Sequence, residues 1–258
     1  MLGAIAGDVI GSVHEFEQNK TKEFPLFVEQ SRFTDDSVLT VAVADCLLTG
    51  ASYVDKFHEY TNAYPDRCYG GGFHRWVLRG DREPYNSWGN GSAMRVSPVG
   101  WAFDSLVETL AEAKRSAEVT HNHPEGIKGA QATAAAIFLA RSSRDKALIK
   151  SEIASRFSYD LNRSVDDVRP SYRFNETCQE TVPEAIIAFL DGSDFEDTLR
   201  NAVSLGGDAD TLACIAGGVA HAYYGRVPEG LAAKALATLP PALSDVWDRF
   251  RSRYHVPS

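Results

Sequence analysis

Three segments of the sequence concentrate acidic side chains beside glycine or threonine. The first is Gly7–Glu15, the second is Thr34-Asp35-Asp36-Ser37, and the third is Gly206–Thr211. Adjacent carboxylates repel each other unless a positive group lies between them. Carboxylate and hydroxyl oxygens are also the ligands that Mg²⁺ and Mn²⁺ prefer. The pattern therefore indicates that these segments converge on bound divalent cations.

Helix capping is the alternative explanation, because Asp, Ser and Thr at a helix N-terminus accept backbone N–H groups. A cap needs one side-chain acceptor, whereas Thr34–Ser37 offers four polar side chains in a row and Asp208–Thr211 offers three. Capping explains one such segment well and the two together less well. The predicted metal ligands are Thr34, Asp35, Asp36, Asp208, Asp210 and Thr211.

A count of charges favours two cations over one. With Glu15 added to the four predicted aspartate ligands, five carboxylates face the site. One dication leaves a large excess of negative charge, whereas two leave about −1. A binuclear site binds oxygen-rich substrates and lowers the pKa of a bound water, so the expected chemistry is hydrolysis of a bond that these residues alone do not specify.

Histidines and cysteines offer little support for other metal sites. His121 and His123 are two residues apart, but no cysteine or third histidine lies at zinc-ligand spacing. None of the four cysteines forms a C-x-x-C pair, which predicts isolated, reduced thiols in a cytoplasmic protein. Several histidine ligands are usual in binuclear phosphoesterases, and their scarcity here counts against that class.

The elements that must position the acids are predicted to be helices. Apolar residues from Leu2 to Val13 recur at helical spacing on one face, and glycines every four residues leave an edge where another helix could pack closely. Gly50 and Gly225 are expected to end helices, Asp194 to cap one, and Thr181–Glu184 to form a capping box. Ser171–Cys178 is the best extended candidate, and residues 64–100 read as a long functional loop.

These features predict one all-α domain over residues 1–258, an orthogonal helical bundle with a loop-built binuclear metal site. The chain carries a net charge of −9, which argues against general nucleic-acid binding. Asp8 interrupts the first apolar run and no basic residue precedes it, so neither a signal peptide nor a membrane span is expected. Without coiled-coil heptads, a monomer is the expectation.

Four motifs carry a resemblance to a known family. GDVIGSVHE, FTDDSVLT, GNGSAMRVSPVG and SLGGDADTLACIAGGVAHAYYG, in this order, resemble the successive motifs of the ADP-ribosylglycohydrolases, the group of the dinitrogenase-reductase-activating glycohydrolase and the ADP-ribosylhydrolases. The resemblance covers nearly the whole chain. It implies an all-helical fold and two Mg²⁺ or Mn²⁺ ions under the terminal ribose of ADP-ribose.

Carried over by residue, the resemblance implies the same six metal ligands and treats Asp8 as structural support. Glu15 matches the acid near the reacting ribose, with Glu17 as a rival, and His123 and Glu125 either distinguish a subgroup or cap a helix. Arg95 either reaches a phosphate or forms a structural ion pair. The implied catalytic residues are Glu15, Asp35, Asp36 and Asp208, and the implied substrate-binding residues are Gly70, Gly71 and Gly72 at the diphosphate, Ser87, Trp88 and Asn90 at phosphate and adenosine, and His121.

The implied function is cleavage of the ADP-ribosyl bond at the anomeric carbon of the terminal ribose. The substrate would be a protein modified on arginine or serine, or a small ADP-ribosyl conjugate, and the loop of residues 16–33 is expected to face the acceptor. Trp88 could stack on adenine or lie in the core, and Gly70–Gly72 could be a flexible turn. The alternatives are an ADP-ribose-binding protein without turnover and a binuclear-metal phosphoesterase.

Overall fold

Helices are the only regular elements of the chain, and the computed structural model describes all residues from Met1 to Ser258. The prediction of a single all-helical domain is confirmed. None of the helices is long and apolar enough to cross a membrane. The helices are α1 Leu2–Gly11, α2 Asp35–Thr49, α3 Tyr53–Ala63, α4 Gly71–Leu78, α5 Gly91–Met94, α6 Val99–Ala102, α7 Leu106–Glu118, α8 Pro124–Ser143, α9 Lys146–Phe157, α10 Val165–Val168, α11 Cys178–Asp191, α12 Phe195–Val203, α13 Ala209–Tyr224, α14 Glu229–Ala237 and α15 Pro241–Tyr254.

Helices α1 and α13 form the centre of the molecule, with α2, α8, α11 and α12 packed around them. All ten residues of α1 are buried, including its one charged residue, Asp8. The predicted apolar face of this helix is buried, and its other sides are buried as well. Its remaining side chains are apolar or absent, and a helix without a polar face is stable only when neighbours cover it on every side.

Glycines set the distance between α1 and α13. A Cβ atom added to Gly3 would overlap the backbone of Gly217, and one added to Gly7 would overlap the backbone of Ala213. One added to Gly11 would overlap the backbone of Asp210. The predicted close-packing edge of α1 is confirmed, and it brings the start of α13 against the end of α1.

Four of the predicted helix ends are confirmed. Asp194 accepts a hydrogen bond from the Asp197 backbone N at 2.8 Å and caps α12. Gly50 and Gly225 end α2 and α13 with φ of 73° and 72°, in the left-handed region that glycine adopts without a Cβ penalty. His123 caps α8 through its ring, which accepts from the Glu125 backbone N.

Two predictions about residues 171–184 are wrong. Thr181–Glu184 does not start a helix, because α11 already begins at Cys178 and contains Pro183. The chain turns earlier, where the Asn175 side chain accepts from both the backbone N and the hydroxyl of Thr177. The predicted extended segment makes only one isolated bridge, between Thr177 and Gly89.

Candidate functional site

One cavity lies where the N-termini of α2, α4 and α13 converge with the segment that precedes α5. Its empty space is about 770 Å³, including the part open to solvent, which is within the usual range for a small-molecule site. The lining residues are Glu15, Asp35, Asp36, Leu39, Cys68, Gly70, Gly71, Gly72, Phe73, Tyr85, Ser87, Gly89, Asn90, Gly91, Met94, Arg95, His121, Glu176, Asp208, Asp210 and Thr211.

The acidic segments from the two ends of the chain meet at the floor of this cavity. Glu15, Asp208 and Asp210 each place a carboxylate oxygen within 4.8 Å of the others. Asp35 and Asp36, from the first turn of α2, line the same cavity but stand outside this tight group. All five predicted carboxylates are therefore brought together, although residues 15 and 208 are far apart in sequence.

The chemistry of this cluster fits bound cations. The Oε2 atom of Glu15 and the Oδ1 atom of Asp36 are buried and have no hydrogen-bond partner. No lysine, arginine or histidine forms an ion pair with any of the five acids; such pairs in the molecule lie elsewhere. Hard dications take up orphaned carboxylate oxygens of this kind.

Burial and mutual repulsion make these acids hard to ionise in the absence of positive charge. Burial, followed by the charge of Asp210, raises the pKa of Asp35 and of Asp36 well above the ordinary value. Burial raises the pKa of Asp208 to about 6, and burial with the neighbouring Asp210 raises that of Glu15 to about 8. A dication would reverse these shifts, because it stabilises the ionised forms.

Thr34, one of the six predicted ligands, does not line the cavity. Its hydroxyl donates to Asp8 Oδ1 at 2.6 Å and accepts from the Asp36 backbone N at 3.3 Å. Asp8 also accepts from the backbone N and hydroxyl of Ser37. Thr34 and Asp8 thus hold the first turn of α2 from the side opposite the cavity, which orients Asp35 and Asp36. This contact agrees with the structural role expected of Asp8.

Asn90, a predicted substrate-binding residue, lines the cavity and contacts the acidic cluster. Its Nδ2 atom donates to Asp208 Oδ2 at 2.7 Å and to the Thr181 hydroxyl at 3.2 Å. Its backbone N donates to the Glu176 carbonyl at 2.7 Å. Asn90 therefore orients an acid of the cluster, a contact that the sequence did not indicate.

The three consecutive glycines begin a helix, so the expectation of a loop or flexible turn here is wrong. Gly70 is the N-cap of α4, and Gly71 and Gly72 are its first two residues. Gly70 and Gly71 have no neighbour within 4 Å of an added Cβ, so their backbone is accessible. Free N–H groups at a helix N-terminus bind anions, and the cavity-facing position of all three glycines suits a phosphate.

Ser87 and Trp88 are adjacent in sequence but face different places, the cavity and the protein surface. Ser87 lines the cavity, and its hydroxyl accepts from the Gly89 backbone N at 3.1 Å. Trp88 is 48% exposed and lies in a neighbouring surface depression, with its ring 5.4 Å from that of His123. The core alternative for Trp88 is wrong, and its stacking on adenine stays a prediction.

The sequence model of the ADP-ribosylglycohydrolase family matches residues 1–255. The chain belongs to the ADP-ribosylglycohydrolase family. It is accordingly an enzyme of the class that hydrolyses glycosyl bonds.

The relatives of this chain have low sequence identity to it, but the matches cover most of both chains. The chain is 27% identical to "ADP-ribosylhydrolase ARH3" of Mus musculus, over 89% of this chain and 84% of that protein. It is 28% identical to the Homo sapiens protein of that name, over 89% and 86%, and 24% identical to "ADP-ribosylarginine hydrolase Tri1" of Pseudomonas putida, over 87% and 69%. A solved "ADP-ribosylglycohydrolase-related protein complex" shares the fold, with a TM-score of 0.71, 24% identity and coverage of 100% and 97%.

Glu17 and Glu15 lie in different places in this family member. Glu15 lines the cavity, whereas the side chain of Glu17 is 71% exposed and lies near His14. In the loop expected to face the acceptor, Lys20 Nζ donates to the backbone carbonyls of Tyr172 and Leu205. Lys22 pairs with Asp197, so the two lysines fasten the loop to the helical core instead of facing a ligand.

Two further lining residues of this ADP-ribosylglycohydrolase were missed by sequence reasoning. Glu176 and Tyr85 both face the cavity. Glu176 lies in the segment read only as an extended piece, and Tyr85 lies among the prolines and asparagines of the segment read as a loop. Neither has a neighbouring motif that would distinguish it from a surface residue.

Proposed function

We propose that this enzyme uses two divalent cations, Mg²⁺ or Mn²⁺, to hydrolyse the bond at the anomeric carbon of the terminal ribose in an ADP-ribosyl conjugate. The observation that carries the proposal is the placement of two different chemistries in one cavity. An acidic cluster with orphaned oxygens forms the floor, and the N-terminus of α4 with His121 lies on the walls. A substrate with a diol at one end and a diphosphate beside it complements both.

The proposed metal-binding residues are the acids of the cluster with Thr211, while Thr34 supports them. Glu15, Asp208 and Asp210 form one compact group, and Asp35 and Asp36 face the same space from α2. Two sets of acids on opposite elements are consistent with two cations. Bound there, the cations would polarise the ribose hydroxyls and lower the pKa of a bound water.

Glu15 is the proposed acid–base residue. It is half-buried at the edge of the cluster, and its Oε2 atom has no protein partner. A carboxyl group with one free oxygen at the reacting centre can orient the water or assist the leaving group. Cleavage builds positive charge on the ribose ring, as in glycoside hydrolysis, and the carboxylates Asp35, Asp36 and Asp208 would stabilise that charge.

The acceptor is a separate part of the proposal. "ADP-ribosylarginine hydrolase Tri1" is named for arginine, and the remote identity to it leaves arginine, serine and small conjugates as candidate acceptors. Glu176 lines the cavity and is exposed, which puts a further carboxylate near the opening, outside the acidic floor. A negatively charged opening favours a cationic acceptor such as an arginine guanidinium over a neutral serine side chain.

The test measures ADP-ribose release from an ADP-ribosyl-arginine peptide and from an ADP-ribosyl-serine peptide, and cleavage of a generic phosphodiester. Each is incubated with Mg²⁺, Mn²⁺ or EDTA. ADP-ribose release that EDTA abolishes is expected from at least one peptide. Phosphodiester cleavage would indicate the phosphoesterase alternative, and tight ADP-ribose binding without turnover would indicate a binding protein.

Matched variants connect the activity to the cluster. Asp35→Asn and Asp208→Asn each remove a carboxylate while keeping its shape, and both are expected to lose nearly all turnover. Asp104→Asn removes an exposed carboxylate away from the cavity and is expected to keep it. Full activity of Asp35→Asn and Asp208→Asn in EDTA would refute the proposal.

A further inference from the structure

Arg95 is completely buried at the cavity and has no acidic partner. Its Nη2 atom donates to the Ser116 carbonyl at 3.0 Å and to the Thr120 hydroxyl at 2.8 Å. Its guanidinium lies 4.2 Å above the Phe57 ring, and Nε and Nη1 have no hydrogen-bond partner. Buried arginines normally pair with carboxylates, so neither the predicted ion pair nor ordinary core packing explains this residue.

The Thr120 hydroxyl connects this arginine to His121. Its Oγ1 atom is 2.7 Å from His121 Nδ1. A guanidinium only donates hydrogen bonds, so Oγ1 must accept from Arg95. The hydroxyl then has one hydrogen left to donate, and Nδ1 of His121 is the only acceptor that it contacts.

This arrangement decides which ring nitrogen of His121 carries the proton. If Nδ1 were protonated, two donors would point at the Thr120 oxygen and the hydroxyl hydrogen would be buried without an acceptor. With Nδ1 unprotonated, the Thr120 hydroxyl both accepts from Arg95 and donates to His121, and the ring proton lies on Nε2. The nearby positive charge of Arg95 also disfavours a second proton on the ring, and burial followed by this charge lowers the pKa of His121 well below its ordinary value.

The Nε2 atom of His121 faces the cavity and has no protein partner. Cβ atoms added to Gly91 and Gly89 would lie 3.3 and 3.6 Å from it, so the absence of side chains there keeps the approach to this nitrogen open. The motif Gly89-Asn90-Gly91 therefore has two roles. Its glycines leave His121 accessible, and its asparagine donates a hydrogen bond to Asp208. A bound molecule in the cavity can accept a hydrogen bond at this point.

We propose that Arg95 and Thr120 are positioning residues that hold His121 as its Nε2–H tautomer, so that the ring donates a hydrogen bond to an acceptor oxygen of the bound substrate. That the substrate is an ADP-ribosyl conjugate rests on the function proposed above. The tautomer itself does not, because it follows from the contacts among Arg95, Thr120 and His121.

The first measurement is the tautomer of His121, from the side-chain nitrogen chemical shifts of the metal-loaded protein, assigned by comparison with His121→Gln. The wild-type protein is expected to show protonated Nε2 and unprotonated Nδ1. A proton on Nδ1 in the wild type would overturn the proposal without any variant. Thr120→Val keeps the shape, removes the hydroxyl and is expected to give a mixture of both tautomers, whereas Thr120→Ser keeps the wild-type form.

The second measurement is binding of ADP-ribose itself by calorimetry in the presence of Mg²⁺. Loss of one oriented hydrogen bond is expected to weaken binding about tenfold in Thr120→Val. Thr133→Val is the matched control, because Thr133 is buried and its hydroxyl has no partner, and its affinity is expected to equal that of the wild type.

The outcomes separate this proposal from the proposed function. A wild-type tautomer in Thr120→Val, or a shifted tautomer with unchanged ADP-ribose affinity, would overturn the positioning role. If the wild-type protein binds no ADP-ribose at all, the proposed function fails, while the nitrogen shifts still decide whether the Arg95–Thr120–His121 chain holds the tautomer.

Discussion

Among the five acids of the cluster, Glu15 differs in environment from the four aspartates. Asp35, Asp36, Asp208 and Asp210 are buried, whereas Glu15 is partly exposed at the edge of the group. Buried acids that hold the proposed cations would stay ionised throughout the reaction. An acid with access to solvent can exchange its proton, which is the property that a general acid or base requires.

We expect Glu15→Gln to reduce kcat by a factor of about 10²–10⁴, the usual contribution of a general acid or base. Its affinity for ADP-ribose should change far less, since the remaining carboxylates still form the site. Steady-state hydrolysis and calorimetric binding measure the two effects. Glu17→Gln is the matched control, because Glu17 is exposed outside the cavity, and it should retain wild-type kcat. Equal effects of the two substitutions would contradict the assignment.

At the scale of elements, three helix N-termini face one cavity. The first turns of α2 and α13 carry the acids, and the first turn of α4 carries the accessible glycines. The positive end of each helix dipole therefore points toward a region of high negative charge. This arrangement lowers the electrostatic cost of gathering five acids, and the α1–α13 contact fixes how closely they approach.

Substitution of Gly7 by Ala is expected to destabilise the protein by about 1–3 kcal/mol, the usual range for overpacking a tight core contact. A Cβ at this position overlaps the Ala213 backbone, so α1 and α13 must separate. Chemical denaturation measures the loss, and cation affinity should fall with it because Glu15 and Asp210 move apart.

Gly230→Ala is the control for this substitution. Gly230 also lies in a helix, but nothing is within 4 Å of its added Cβ. Alanine there is expected to leave stability unchanged or to raise it by about 0.5 kcal/mol through its better helix propensity. If Gly7→Ala were as stable as Gly230→Ala, the close contact of α1 and α13 would have no energetic importance.

At the scale of the whole molecule, the stability of the metal-free protein should depend on pH through the acidic cluster. An acid whose pKa is raised by folding stabilises the fold below its unfolded pKa, and that contribution is lost as the pH rises through the folded pKa. For Asp208 and Glu15 the interval runs from ordinary values of 3.8 and 4.5 to about 6 and about 8. In EDTA, the melting temperature should therefore fall between pH 5 and pH 8.

Added Mn²⁺ or Mg²⁺ should restore the melting temperature, and the rise should be larger at pH 8 than at pH 5, because cations and protons compete for the same oxygens. Asp210→Asn removes one of these carboxylates and separates their effect from that of surface acids. Differential scanning calorimetry of both proteins, with and without cation, is the measurement. A pH-independent effect of cation would contradict this account.

Much of this arrangement could be predicted from local sequence. Helix periodicity and capping residues such as Asp194 are local properties, and the acids of the two main segments are recognisable because their repulsion needs an explanation. The sequence-based predictions differ from the structure where they depended on the direction in which a side chain points. Thr34 lies behind the site because Asp8, distant in sequence, accepts its hydroxyl hydrogen, and Trp88 faces outward while Ser87 faces in.

Other predictions were wrong because a contact between segments distant in sequence overrides a local capping pattern. The start of α11 is set by Asn175 and by the Cys178 backbone N, which donates to the Trp88 carbonyl at 3.0 Å. The contact with Trp88 has no local signature, whereas Thr181–Glu184 has one and is not used as a cap. Arg95 and Thr120 were likewise not recognisable as a pair before their side chains were seen in contact.

The distance along the chain between the acids has a consequence for how the protein is made. Glu15 and Asp36 leave the ribosome long before Asp208 and Asp210, yet the compact acid group needs members from both ends. A nascent chain therefore cannot form the complete proposed cation site until α13 has emerged and packed on α1. Until then, the early acids lack their partners from α13. A cation bound between the two groups would stabilise only those chains in which α13 has already packed on α1.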